Sequence, residues 1–415
     1  MGKSIKFRLT VMSFLQFFVW GAWLTTIGTY CTSGKGWTFS QFGGIFSTLA
    51  LASLFMPSLI GIIADKWIRA ERLYGILHIL YGVVLFFVPQ VNDPDILFYY
   101  IFGAMICYMP TISLSNSIAY RILTGSGADI LKSFPPIRVF GTVGFIAAML
   151  VTNQTNSNVN ANQFIIGGIG AILLGIYSFT LPACPPEKVK CEKQSIVNQL
   201  GLNAFKLFGN YKMALFFLFS MLLGAALQLS NMYGDAYLHS FPTGSLIQEN
   251  STTILSISQL SETLFILTIP FFLKRFGIKN VMLFAMLAWV LRYAFFALGG
   301  SEIGFGMIIL SCIIYGMAFD FFNISGSMFI EKNTDSKIRS SAQGLFMMMT
   351  NGFGAYFGTI ASSWVIDTYF ILPDGQTDWS GAWNVFAVYS LVVAVLFAIL
   401  FRHKHNPAEL SEISH

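Results

Sequence analysis

Few side chains in this 415-residue sequence could do chemistry, and most of them stand inside apolar stretches. Glu262 follows Gln259 by three positions in "SISQLSETLFILTIPFF", residues 256–272. Asp320 stands beside Phe319 in "YGMAFDFFNISG", where Tyr315, Phe319 and Asn323 recur every fourth residue. "LQLSNMYGDAY" places Gln228 three residues before Asn231, and "IRVFGTVGF" spaces Arg138, Thr142 and Phe145 at i, i+4 and i+7. On a helix such spacings gather side chains on one face. The faces so formed carry amides that both donate and accept, flat aromatic rings, one guanidinium and two carboxylates. A carboxylate withdrawn from water can exchange a proton in the physiological range, and amides suit the edge of a neutral polar ligand.

Each group also has a plainer reading. Arg138 would serve equally as an arginine at the inner membrane rim, as Arg339 does in this reading. Paired amides can act as interhelical glue worth about 0.6 kcal/mol each. Glu262 or Asp320 could form a permanent pair with Arg138 or Arg292. A charge at the bilayer centre costs about 2.5–3.5 kcal/mol on insertion scales, which weighs two mid-span carboxylates toward function. Asp235, near the outer end of its span, reads as solvated. Gln16, Trp20 and Trp23 form another i, i+4, i+7 stripe, able either to pack the core or to line a cavity. Asn116, Gln343 and Asn351 are weaker candidates, and His78 reads as packing.

The elements that must position these groups are transmembrane helices. The chain is 55% hydrophobic and 10% charged, with a mean hydropathy of +0.66, whereas soluble domains carry about 25% charged residues. Residues 9–34, 36–64, 73–92, 96–120, 340–366 and 379–401 hold no Asp, Glu, Lys or Arg. A helix crossing a hydrocarbon core of about 30 Å needs about 20 residues, so each window suffices. The apolar run after Lys3, Lys6 and Arg8 continues to about Tyr30 and reads as a retained first helix rather than a signal peptide.

Polar turns delimit twelve spans, at 9–30, 40–64, 72–91, 96–121, 135–152, 163–182, 212–238, 251–273, 280–299, 303–330, 338–366 and 381–401. Of the 24 Lys and Arg, all but Lys35, Arg138 and Arg292 fall in the N-terminal tail, alternate turns or the C-terminal tail. The positive-inside rule therefore puts both termini in the cytoplasm. The expected organisation is an N-terminal six-helix bundle over 1–182, a cytoplasmic connection over 183–211, a C-terminal six-helix bundle over 212–402 and a cytoplasmic tail over 403–415. Weak echoes relate the halves: "GIIADKWIRAER" to "PFFLKRFGIKN", and "IRVFGTVGF" to "IRSSAQGLF". Two such halves suit a secondary transporter.

Other classes are disfavoured. The sequence has no Gly-x4-Gly-Lys-Ser/Thr loop of an ATP-driven pump, no Gly-x-Ser-x-Gly and no paired nucleophile and base of an intramembrane enzyme. Its five cysteines are scattered, and "CPPEKVKC" leaves six residues between its thiols, a spacing foreign to zinc sites. The net charge of +5 is spread over short clusters between apolar segments and does not imply nucleic-acid binding.

At these residues the sequence resembles a known family. "SFLQFFVWGAWLTTIGTY", "FPPIRVFGTVGF", "FSMLLGAALQLSNMYG", "SISQLSETLFILTIPFFLKRFGIKNVM", "YGMAFDFFNISGSMFIEK" and "SAQGLFMMMTNGFG" are similar to the bacterial nucleoside–proton symporters of the major facilitator superfamily. The similarity runs over nearly the whole chain and is weakest in the outer loops, the central connection and the tail. It implies a central cavity between two halves, a nucleoside such as uridine or adenosine as substrate, and uptake driven by proton entry. It also implies that Arg138, Thr142 and Phe145 face the ligand from the first half, and Gln228, Asn231, Gln259, Glu262, Tyr315, Phe319 and Asp320 from the second.

The expectation is an all-α integral membrane protein of the bacterial inner membrane, monomeric, with the proton as coupling ion and no other cofactor. Glu262 and Asp320 are the candidate proton carriers, and the sequence does not choose between them. With Arg138 charged and both carboxylates ionised the set sums to −1, and one proton brings it to zero. The alternative on the same fold is a symporter of a sugar or another small neutral polyol.

Overall fold

In a computed structural model, residues 3–186, 202–335 and 338–403 are described. The middle of the expected connection, 187–201 with Cys191, and the tail from 404 onward lie outside them.

The described chain is a succession of apolar helices. In hydrocarbon every backbone amide and carbonyl must find its partner within the segment, which leaves the helix as the economical choice for such sequence. The first part comprises α1 (Lys3–Gly21), α2 (Phe39–Lys66), α3 (Ala70–Phe87), α4 (Pro94–Gly125), α5 (Ile130–Gln154) and α6 (Asn162–Ser178). The second comprises α7 (Tyr211–His239), α8 (Ser251–Ile266), α9 (Ile269–Ala297), α10 (Gly304–Asn333), α11 (Arg339–Met347), α12 (Ala355–Tyr369) and α13 (Trp379–Leu400). Eight of the described helices are long and apolar enough to cross a membrane. Several starts are fixed by polar caps: Thr38 and Gln41 exchange both bonds of a capping box before α2, and Asp93 accepts from the Asp95 and Ile96 amides at α4.

Two expected spans and one expected turn differ from their sequence reading. After α1 the backbone loosens over 22–26, resumes with Ile27–Thr29 and widens into a π-turn at Tyr30–Gly34. A second π-segment, Met348–Gly354, joins α11 to α12. The "KRFGIK" turn proves to be a single bend, because α9 is interrupted only at Gly277, with φ 78° and ψ 168°. That left-handed conformation is open to glycine and costly for a residue with a Cβ.

The chain forms two compact units: Met1–Gln199 with Asn231–Thr253, and Leu200–Ser230 with Ile254–His415. In the first, α1 packs on α5 and α6, α2 on α4, and α3 on both α4 and α6. Its core includes Leu9, Tyr74, Leu114 and Ile118. In the second, α9 lies between α10 and α13, and α10 also touches α11.

Candidate functional site

The second unit gathers five of the ten expected residues at Tyr315. A Cβ at Gly316 would stand 2.6 Å from the Ser261 carbonyl oxygen and 2.8 Å from the Glu262 nitrogen, so only glycine lets α10 approach α8 here. Ser261 Oγ completes the contact by donating to the Ile313 carbonyl. Through this approach Tyr315 comes near Gln259 and within electrostatic reach of Glu262, Arg292 and Asp320. Phe319 follows one turn later, its ring parallel to that of Tyr315 with centroids 6.0 Å apart and planes 2° from coplanar. Trp289 of α9 meets Tyr315 edge-on at 5.8 Å. Asp320 and Tyr315 are buried, whereas Gln259, Glu262 and Phe319 keep partial exposure. A small cleft beside this group is lined by Leu227, Trp289, Phe319 and Asn323, among others.

Gln228 and Asn231 lie on α7, both half-buried. Neither amide has a hydrogen-bond partner among the described residues.

In the first unit, Arg138 lies with its guanidinium 4.1 Å from the centre of the Phe17 ring, a cation–π contact. Phe145, two turns along α5, meets Trp20 edge-on at 6.3 Å and 88°. Thr142 stands between them, half-buried. The stripe on α1 divides. Gln16 is fully buried, donates to Thr111 Oγ1 at 2.9 Å and accepts from the Tyr74 hydroxyl at 2.6 Å. Trp23 is equally buried and donates to the Tyr81 hydroxyl at 2.7 Å. Both are therefore core. Trp20 alone stays half-exposed beside Phe145, and its indole nitrogen has no partner among the described residues. His78 packs on Tyr74 and hydrogen-bonds through Nδ1 to the Tyr74 carbonyl at 3.0 Å, consistent with a packing role.

Two features escape sequence reasoning. Asp235 is not solvated but fully buried. It accepts hydrogen bonds from Thr29 Oγ1 at 2.5 Å, Ser251 Oγ at 2.9 Å and Thr252 Oγ1 at 2.7 Å, hydroxyls that replace its water. Asn153 reinforces the same corner, accepting from the Thr252 amide at 3.2 Å and donating to the Glu249 carbonyl at 3.0 Å. The second feature is Arg292, buried within α9 and, among the described residues, not ion-paired to either carboxylate.

An all-helical membrane protein, with amides, stacked rings and two carboxylates on facing helices and no nucleotide-binding loop, belongs to the class of secondary transporters. The comparisons with known proteins make this specific. The profile described as "Nucleoside H+ symporter" matches residues 3–406, and the chain belongs to that family. It is 48% identical over 413 residues to the xanthosine permease of Escherichia coli (strain K12), covering 98% of each chain. It is 46% identical to the nucleoside permease NupG of the same organism over 420 residues, covering 99% of this chain and 100% of that one. A crystal structure of a NupG mutant superposes with a TM-score of 0.93 at 47% identity, covering 96% of this chain and 100% of that one. These relatives are permeases, and the chain is a transporter rather than an enzyme.

Proposed function

We propose that this chain imports nucleosides, uridine or adenosine among them, by proton-coupled symport with alternating access. Family membership supports nucleoside permease function and does not favour the sugar or polyol alternative. The observation that carries the site reading is the Tyr315 cluster. Phe319, partly exposed and backed by the buried Tyr315 ring, offers its face to a flat base, while Gln259 and the neighbouring carboxylates offer acceptors and donors to base edge and ribose hydroxyls. Gln259, Glu262, Tyr315, Phe319 and Asp320 are the ligand groups of this cluster in our reading, with Gln228 of α7 a further one. Arg138, Thr142 and Phe145 on α5 and Asn231 on α7 are further ligand groups, as the family resemblance implies.

Glu262 and Asp320 are the proton carriers of this reading, one cycling the proton while the other holds ligand. Twelve crossings, cytoplasmic termini, residence in the bacterial inner membrane and a monomeric unit complete it, supported by the charge asymmetry of the turns. The proton is the coupling ion, without a further cofactor. Uptake by Glu262→Gln and Asp320→Asn tests the coupling. At least one variant should lose concentrative uptake while still exchanging nucleoside downhill. Uptake that remains uncoupler-sensitive in both would refute the assignment.

A further inference from the structure

Arg292 is 2% exposed, five residues before the end of the apolar helix α9. Its guanidinium spreads its donors over three other helices. Nε and Nη2 donate to Ser230 Oγ of α7 at 2.9 and 2.6 Å, and Nη1 donates to the Ser311 carbonyl of α10 at 2.7 Å. A longer contact of 3.4 Å joins Nη1 to Ser258 Oγ of α8. Ser311 Oγ donates back to the Arg292 carbonyl at 2.8 Å. The guanidinium also lies 4.5 Å from the centre of the Tyr315 ring. Stripping water from such an ion is costly even after relaxation. An apolar side chain would fill this junction without that cost, so packing alone does not explain an arginine.

Its attachments do. Ser230 sits between Gln228 and Asn231, Ser258 precedes Gln259, and Tyr315 is itself the central ring. Helices α7, α8 and α10 are thus fastened to one guanidinium, α7 and α8 within two residues of a proposed ligand group and α10 at Ser311 and on the Tyr315 ring itself. We propose that Arg292 is the positioning residue of the nucleoside site, fixing the Tyr315 ring and the register of α7 and α8 without touching the ligand. This rests on the site reading given above. Lysine is no equivalent, since a point charge offers neither a plane to lie on the ring nor a fork to reach three helices.

Uridine uptake kinetics in proteoliposomes test the proposal, with Arg292→Lys, Arg292→Met and Ser230→Ala compared with Phe319→Ala and wild type, and rates normalised to folded transporter. KM should rise about tenfold or more in both Arg292 variants and by a smaller factor in Ser230→Ala, with the maximal rate per folded protein reduced about threefold at most. A wild-type KM in Arg292→Lys and Ser230→Ala, with only yield or maximal rate lowered, would assign the arginine to packing and overturn the proposal. Should Arg292→Met fail to fold, the other two variants decide, because each nearly conserves the buried volume. A wild-type KM in Phe319→Ala would instead overturn the site reading. A raised KM there with none in Arg292→Lys would overturn the positioning role alone.

Discussion

Burial changes what a given side chain can do, and the cysteines show it at the residue scale. Cys184 follows α6, outside the apolar spans, and its backbone amide donates to the buried Glu71 carboxylate at 2.8 Å. Loss of water and the nearby Glu71 charge push its thiol up to about 11, against a smaller opposing pull from Arg121. A raised pKa leaves the neutral thiol dominant, so at pH 8 only roughly one molecule in a thousand carries the reactive thiolate. A variant retaining Cys184 as its sole cysteine should therefore be alkylated slowly at pH 7–8, the rate climbing about tenfold per pH unit toward pH 11. Rapid, pH-independent labelling at neutrality would show the site to be open. The same contrast separates Gln16, whose amide is spent on Thr111 and Tyr74, from the half-buried Gln228 and Asn231.

Helix faces were legible in the sequence; contacts between helices were not. Tyr315 and Phe319 stack because four residues bring side chains onto one face, and this follows from spacing alone. The burial of Asp235 depends on Thr29, 206 positions away, and on Ser251 and Thr252 beyond a turn, pairings that no periodicity encodes. The bend at Gly277 was visible only as a basic turn, since a positive φ leaves no mark beyond the glycine itself. Arg292 was visible as a charge in a span, but its serine partners look in sequence like ordinary small helix residues. Asp235 joins the ends of α7 and α8 to the segment after α1, so its loss belongs to this scale. Asp235→Ala strands three buried hydroxyls and should destabilise the protein by about 3 kcal/mol. A thermal unfolding midpoint in detergent equal to that of wild type would contradict the role assigned to this corner.

Across the whole molecule, the dominant signal is the asymmetry of lysine and arginine between alternate turns. It needs no knowledge of packing, because each basic side chain resists translocation on its own account. A cysteine introduced at Asn156, between α5 and α6, should react with a membrane-impermeant reagent from the periplasmic side in intact cells. Labelling only after the inner face is exposed would invert the proposed orientation. The coupling of this architecture to a proton gradient is the central claim, and one measurement reaches it directly. Uridine uptake is followed in proteoliposomes of the purified protein, with and without an imposed gradient, acidic outside. The account predicts transient accumulation above the external concentration under the gradient, abolished by an uncoupler, and simple equilibration without it. Equal uptake under both conditions would contradict proton-driven symport.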